Sequence, residues 1–414
     1  MSTNYTGFEW LCIDAANHYG IKGLYPERIM WTRLNIVPAL QDSFLAVQDI
    51  KKVLGDELGA AKEPSMFAGA VLALYDTIRG VASGWQISRD ACASGPALLS
   101  TLMGDLTGMS NTGITDTGEV PDLYAAITES MGSEYDRVLV KAATVPHVYG
   151  SVRAPRTVWG DEYPKFCAAY TKAVPAAEMV KNLLINGWDS TATEYSFTLP
   201  DGAVVKTPVL RTVTKKGYPL GNHTYTYQFT EQGCIARGDV GSKALSANVT
   251  HAYDAYISRE LGRRCNYDVH QLDKAWAYLN KPGIGKGTIP DNLMALINMA
   301  ASTGQISLVA IEHLTEDNAG LLPRWFQDDL KDIITMVFQN EPFEINAVHD
   351  DFRCLPNYAN AMGAHYQQLM VETYKSEWLV MTISELLGED FYALKQPVRD
   401  DVIESILEAK YTIS

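Results

Sequence analysis

Three residues between positions 137 and 149 have the types and spacing that could bind a nucleoside triphosphate. Arg137 and Lys141 lie four residues apart, and Tyr149 follows Lys141 by eight, in a segment whose first half has no helix breaker. In a helix the two cations share one face, and Tyr149 lies roughly 12 Å further along. The cations could then bind phosphates while the ring contacts the base and sugar. A surface helix with solvated Arg and Lys side chains explains this segment equally well.

Two aspartates at the ends of predicted strands are the candidates for metal binding. Asp90 follows the predicted strand 85–89, and Asp350 follows the predicted strand 343–348. On one small sheet the two carboxylates could hold a pair of Mg²⁺ ions about 4 Å apart, because Mg²⁺ prefers oxygen ligands and substrate phosphates. One ion would activate a 3′-hydroxyl, and the other would carry the triphosphate, whose leaving group the Arg/Lys pair would neutralise. Each aspartate alone is more often a helix cap or turn residue, so the prediction depends on the whole set.

The elements that must position these residues mix helical and strand patterns. Predicted helices cover residues 7–16, 26–35, 97–109, 122 onwards into the Arg137 segment, 156–190, 326–338 and 357–374. Between 193 and 230 apolar residues recur with a period of two around the turn 200–202, which indicates a hairpin. A second hairpin is predicted from 343–348 and 353–356, on either side of Asp350. This mixture indicates the α+β class.

Composition limits the classes of function. The chain has 414 residues, of which 47% are apolar, enough for a large core and more than one lobe. Its formal charge is -15, so nucleic-acid binding would need locally concentrated Lys and Arg or a basic partner. The six cysteines are scattered without a CxxC pair, which favours a reduced cytoplasm over a zinc site or a disulfide framework. Without a signal peptide or an apolar run of about 18 residues, we expect a soluble, unexported protein with no membrane partner.

As a set, the motifs resemble those of the bacteriophage-type single-subunit DNA-directed RNA polymerases, which occur in phages and mitochondria. The matching residues are Asp90 to Gly95 with Ser100, Asp122 to Tyr124, Arg137, Lys141, Tyr149 to Ser151, Leu199 to Gly202, Asn248, His251, Asp254, His349 to Phe352, and the C-terminal segment 405–411. The resemblance covers nearly the whole chain, and the segment near the N-terminus resembles one that lies in mid-chain in the family.

The resemblance implies a right-hand polymerase core with palm and fingers, lacking the N-terminal domain and thumb. The palm would comprise 1–106 and 251–414, with an insertion at about 256–323, and the fingers would comprise 107–250. The missing parts, including a Gly-Arg palm motif, imply a second subunit, so this chain resembles the larger, catalytic subunit of a split two-subunit phage RNA polymerase. The implied location is the cytoplasm of an infected bacterial cell. Implied partners are the DNA template, nascent RNA, NTPs and an accessory protein that opens DNA or binds single strands.

The resemblance also assigns roles to residues. It implies Mg²⁺ as cofactor, held by Asp90, Asp350 and the backbone carbonyl of Ala91, with Lys141 as a further catalytic residue. The implied nucleotide-binding residues are Gly95, Tyr124, Arg137, Lys141, Tyr149 and His251. Lys22, in the glycine-bounded loop 20–23, is a further candidate phosphate ligand, and an ordinary loop lysine is the alternative interpretation. Implied nucleic-acid contacts are His349 and, in a basic arm at 204–232, Arg211, Lys215 and Lys216. A solvated hairpin is the alternative interpretation of that arm.

Gly95 bears on the choice of sugar. Related DNA polymerases place a bulky Glu at this position, which blocks a 2′-hydroxyl, whereas glycine has no side chain, so we expect RNA synthesis. The alternatives are a related DNA polymerase core and a non-catalytic nucleic-acid-binding subunit. Two residues depart from the family pattern: Asp351 replaces a usual Ser, and Pro146 should remove a backbone bond near Tyr149 and kink the last helical turn.

Overall fold

The computed structural model describes residues 4–41, 54–132, 134–189, 191–216, 226–232, 242–280 and 287–414. Helices dominate these segments, and three small antiparallel sheets accompany them. The class is therefore mixed helix and sheet, which is compatible with the predicted α+β class. Within the described segments, no helix combines the length and apolar character needed to cross a bilayer.

The helices and strands have the following bounds. The helices are α1 Gly7–Tyr19, α2 Tyr25–Asn35, α3 Val37–Leu40, α4 Glu57–Ala60, α5 Pro64–Ile78, α6 Ser94–Met103, α7 Leu106–Asn111, α8 Leu123–Met131, α9 Arg137–Val148, α10 Arg153–Trp159, α11 Tyr163–Ala173, α12 Pro175–Asn186, α13 Ser242–Cys265, α14 Val269–Asn280, α15 Asp291–Thr303, α16 Arg324–Val337, α17 Ala359–Lys375, α18 Trp378–Leu387 and α19 Asp400–Glu408. The strands are β1 Ile87–Asp90, β2 Glu194–Thr198, β3 Val204–Pro208, β4 Leu210–Lys216, β5 Thr226–Gln232, β6 Ile345–Val348 and β7 Asp351–Cys354.

Side-chain caps set the first residues of the helices that carry the predicted site. The Asp122 carboxylate accepts a hydrogen bond from the Ala125 N–H and begins α8. Asp136 accepts from the Val138 N–H and begins α9, the predicted nucleotide helix. Each cap satisfies a backbone donor that has no partner within the first helical turn. The N-terminal end of α9, which carries Arg137, is therefore held by its own cap.

The predicted single helix 97–109 is wrong, because the structure has two helices there. Helix α6 begins earlier, at Ser94, and ends at Gly104, whose φ of 72° lies in the left-handed region that glycine tolerates. Asp105 then caps α7 by accepting from the Gly108 N–H at 3.2 Å. The apolar sequence hides this break, since an isolated glycine within a helical pattern is often tolerated.

The sheet that positions the aspartates has the strand order β1-β7-β6, and both pairings are antiparallel. The predicted hairpin around Asp350 is confirmed as β6 and β7. Side chains alternate between the two faces of a strand. One face carries Ser88, Asp90, Asp351 and Arg353, and the other, buried face carries Ile87, Arg89, Phe352 and Cys354. Burial of only one face is typical of a small antiparallel sheet, and it leaves Asp90 on the accessible side.

The two remaining sheets are hairpins. Strands β2 and β3 pair around the predicted turn at 200–202, with Glu194 opposite Pro208. Strands β4 and β5 pair with Leu210 opposite Gln232. The period-two segment that follows this turn is divided between β3 and β4 at Val209, after a proline that cannot donate to a ladder.

A second hydrophobic core, separate from the main one, lies within α14, α15, α16 and their connections. It extends from Leu272 to Val337, whereas the sequence placed an insertion at about 256–323. Helix α13 runs unbroken through residue 250, where the fingers were expected to end, and through residue 256, where the insertion was expected to begin. The fully buried Glu260 of α13 accepts hydrogen bonds from Ser307 Oγ and Leu308 N–H, which joins the second core to the main one.

Candidate active site

The two predicted metal-binding aspartates lie at the same end of one sheet. Asp90 is the last residue of β1, and Asp350 is the second residue of the two-residue turn between β6 and β7. The Ala91 N–H donates to the Asp350 carbonyl at 3.2 Å, so the two backbone segments are in direct contact. His349, the first turn residue, has a φ of 59°, a left-handed conformation that histidine adopts more readily than most residues. Two carboxylates that are 260 positions apart in sequence are thus adjacent in space.

The carboxylates at this end of the sheet repel one another. The side chain of Asp90 is accessible to solvent, but the surrounding protein removes much of its water. This partial burial, together with the charges of Asp350 and Asp351, raises the pKa of Asp90 to about 7, while Lys141 opposes the shift. A bound cation would offset this repulsion. Because Lys141 lowers the pKa of Asp90, this α9 side chain interacts electrostatically with the carboxylate at the end of β1.

Asp351 follows Asp350 directly, and its carboxylate already has hydrogen-bond partners. Its Oδ1 accepts a hydrogen bond from Ser88 Oγ, and its Oδ2 accepts from Arg353 Nε and Nη2 at 2.8 and 2.7 Å. In the sheet it lies directly opposite Asp90. Arg353 partly neutralises Asp351, so this residue shapes the charge around Asp90 without offering a free pair of oxygens.

Three cations gather at the N-terminal end of α9. Arg137 donates from Nε and Nη2 to Asp122 Oδ2, at 2.7 and 2.6 Å. The Arg137 guanidinium and the Lys141 ammonium lie 5.4 and 5.5 Å from the ring centroid of Tyr124, so both cations contact the same aromatic ring. Partial burial, then Arg137 and to a lesser degree Lys141, lowers the pKa of Lys22. Lys22 therefore belongs to the same cationic cluster, although it comes from the loop between α1 and α2.

A cavity of about 270 Å³ lies between the turn that bears Asp350, the segment that follows Asp90, and helices α6, α8, α9 and α13. Six of the predicted site residues line it: Gly95, Tyr124, Tyr149, His251, His349 and Asp350. Inside it, the rings of Tyr149 and His251 are stacked with centroids 4.3 Å apart and an interplanar angle of 13°. Burial and then His349 lower the pKa of His251, which favours the neutral imidazole in this stack.

Asp254, which the resemblance included without assigning it a role, also lines the cavity. Burial and then the charge of Asp350 raise its pKa to about 6, while His349 and a hydrogen bond from Ser94 oppose the shift. A sequence signal existed, because Asp254 follows His251 by three residues and so shares its face of a helix.

Gly95 has a packing role that the sequence did not reveal. A Cβ at this position would lie 3.1 Å from Val148 Cγ1, 3.2 Å from Thr250 Cγ2 and 3.6 Å from Tyr149 Oη. The first two contacts are tighter than ordinary van der Waals contact, so the glycine allows α6, α9 and α13 to approach closely. A substitution here would disturb Tyr149 through packing as well as by occupying space near a sugar.

Three predicted nucleic-acid contacts cannot be placed with the others. Arg211, Lys215 and Lys216 lie in β4, which pairs with β5. Their side chains lie outside the described part of the structure.

No protein-family model matches the sequence, and no curated protein matches it either. The functional assignment therefore depends on the residues of the site and their arrangement.

Proposed function

We propose that this chain is the catalytic subunit of a phage-type DNA-directed RNA polymerase, which transfers nucleotides from NTPs to an RNA 3′ end. One observation carries the proposal: Asp90 and Asp350 lie at one end of a sheet, and Asp350 lines a cavity together with Tyr124, whose ring lies beside Arg137 and Lys141. Acidic ligands, an aromatic cavity and a cationic cluster are the three parts that two-metal nucleotidyl transfer requires.

Asp90, Asp350 and the Ala91 carbonyl would hold Mg²⁺. These donors are all oxygen, as Mg²⁺ prefers. Burial, followed by the charges of Asp350 and Asp351, raises the pKa of Asp90, and a divalent cation would favour its ionised form. When bound, the metal would supply charge stabilisation at the attacking and leaving oxygens.

The protein's own residues would bind and orient the nucleotide. Lys22, Arg137 and Lys141 would bind the triphosphate and offset charge that develops on the leaving pyrophosphate. The cavity of about 270 Å³ is slightly smaller than typical ligand pockets of roughly 300–1,000 Å³, a size suited to a base and sugar. The roughly 12 Å between Lys141 and Tyr149 along a helix would separate the phosphate and sugar ends.

The broader assignment extends this proposal. The sheet β1-β7-β6 would be the palm, helices α8 to α12 would belong to the fingers, and a second subunit would bind this one. A basic partner would also offset the charge of -15 where DNA binds. RNA rather than DNA synthesis follows from the glycine at position 95, beside Tyr149.

The test is nucleotide addition on a primed DNA template, using the protein with any polypeptide that copurifies with it. Asp350→Asn should reduce ribonucleotide addition on the order of a thousandfold, because a catalytic metal contributes several kcal/mol, yet DNA binding should persist. Asp328→Asn is the charge-matched control, since that carboxylate lies about half exposed on α16. Activity of Asp350→Asn equal to that of the control would favour a non-catalytic subunit. Preference of the wild type for dNTPs would favour a DNA polymerase.

A further inference from the structure

A buried polar network lies behind the far end of the nucleotide helix. His147, near the end of α9, and Lys181, on α12, are 3% and 4% exposed. Lys181 Nζ lies 2.8 Å from His147 Nε2 and also donates to Glu178 Oε2. His147 Nε2 also lies 3.2 Å from Glu178 Oε2, so this ring nitrogen contacts both partners of the Lys181–Glu178 ion pair. None of these three residues was predicted as a site residue.

A buried polar network of this kind contributes less to folding stability than apolar side chains of similar volume would. The His147 ring packs edge-on against Tyr170 and Phe166, with centroids 4.7 and 5.4 Å apart, so an aliphatic side chain could occupy the same apolar surroundings. Burial raises the pKa of Glu178, but His147 and Lys181 together hold it below its usual value. Buried ion pairs contribute little net stability compared with apolar packing. A role in fixing geometry accounts for the network better than stability does.

Pro146 weakens the last turn of α9, so the backbone there depends on other contacts to hold its position. Proline has no N–H, so one hydrogen bond of the last helical turn is missing. Beyond it, the N–H groups of Tyr149 and Gly150 both donate to the His147 carbonyl. The backbone that carries Tyr149 is thus attached to a residue whose side chain the network holds.

We propose that Lys181 and Glu178 are positioning residues for Tyr149. By holding His147, they fix the end of α9 so that the Tyr149 ring remains stacked on His251 within the nucleotide cavity. This inference rests on the proposed function, and it assigns the network to recognition of the sugar and base.

The phosphate end of the same helix has separate support. Asp136 caps it, and Asp122 holds Arg137. Loss of the network should therefore disturb Tyr149 while leaving the cationic cluster in place. A general loss of folding would disturb both ends together, which makes the two explanations separable.

The experiment compares two substitutions of one residue. His147→Leu keeps apolar packing but removes the polar partner of Lys181 and Glu178, whereas the side-chain amide of His147→Gln can still hydrogen-bond to this ion pair. Both variants leave the Lys181–Glu178 ion pair intact, so they remain informative if Lys181→Met fails to fold. Lys395→Met is the control, because that partly buried lysine donates to the carbonyls of Leu102 and Tyr374 and does not line the nucleotide cavity.

The readouts are the ratio of kcat/KM for rNTP over dNTP and the inhibition constant for tripolyphosphate, a probe of the phosphate end alone. We expect His147→Leu and Lys181→Met to lower the ratio about tenfold, since small misplacements of a positioning group are costly, with tripolyphosphate inhibition unchanged. His147→Gln and the control should resemble the wild type.

An unchanged ratio in His147→Leu, parallel losses in both readouts, or the same change in Lys395→Met would overturn the inference while leaving the proposed function intact. Failure of the proposed function would differ, because the wild type itself would then add no nucleotides, and both proposals would fall.

Discussion

Arg264 offers a sharp test of how buried charge is balanced in this fold. It is fully buried on α13, and its Nη1 and Nη2 donate to the two carboxylate oxygens of Glu372, both at 2.7 Å. It also donates to Glu260 at 3.3 and 3.4 Å. Arg264→Met would keep most of the side-chain volume and remove the charge.

The two carboxylates would respond differently. Glu260 would keep its hydrogen bonds from Ser307, Leu308 and Arg263. Glu372 would lose both bonds from Arg264 at once, and an uncompensated buried charge costs about 3–5 kcal/mol. We therefore expect the free energy of unfolding to fall by about that amount, a large part of the total stability of a typical protein.

Removal of both partners should be less harmful than removal of one. The double variant Arg264→Met/Glu372→Met leaves no unpaired charge, so it should recover at least about 1 kcal/mol relative to the single variant. Urea unfolding followed by tryptophan fluorescence at pH 7 measures both values. Arg324→Met is the control for an exposed ion pair, with an expected loss below about 0.5 kcal/mol. If the double variant were less stable than the single one, the reasoning would be refuted.

Two further predictions concern the site and the core. Lys141→Met should lower kcat/KM for NTPs by about a hundredfold or more, as loss of a preorganised group facing developing charge does; steady-state kinetics measure it, and a change below about threefold would contradict the phosphate role. His365→Leu should stabilise the protein most in mild acid, because burial and then Arg264 lower the pKa of His365 to about 4. Between pH 6.5 and 4 the unfolded chain binds more protons than the folded one. The free energy of unfolding of the wild type therefore decreases as the pH is lowered, and at pH 5 it is about 2 kcal/mol below its value at neutral pH. Equal pH dependence of both proteins in urea unfolding would contradict this prediction.

Local rules predicted much of the secondary structure. The helix begun at Asp122, the Arg137 helix and the hairpin around Asp350 are confirmed, because each is set by nearby caps or turn residues. Glycine in a helical pattern misled the prediction at Gly104, where a left-handed residue ends α6. Sequence spacing cannot distinguish a tolerated glycine from a terminating one without the packing around it.

Sequence reasoning did not predict those features of the site that depend on contacts between residues far apart in the chain. The three-helix contact at Gly95 depends on Val148 and Thr250, which no local pattern connects to it. The network of Lys181 with His147 joins two helices whose sequences look like ordinary amphipathic segments. Only tertiary structure shows which polar residues of such helices are buried and what they hold.

The two-residue turn that bears Asp350 makes chain length as important as residue identity. The register of β6 with β7, and of β7 with β1, sets which side chain faces Asp90. Adding or removing one residue between 345 and 354 would turn every following side chain to the opposite face. Such a change could keep both aspartates in the sequence yet separate them in space, so this segment should tolerate conservative substitutions far better than any shift in length.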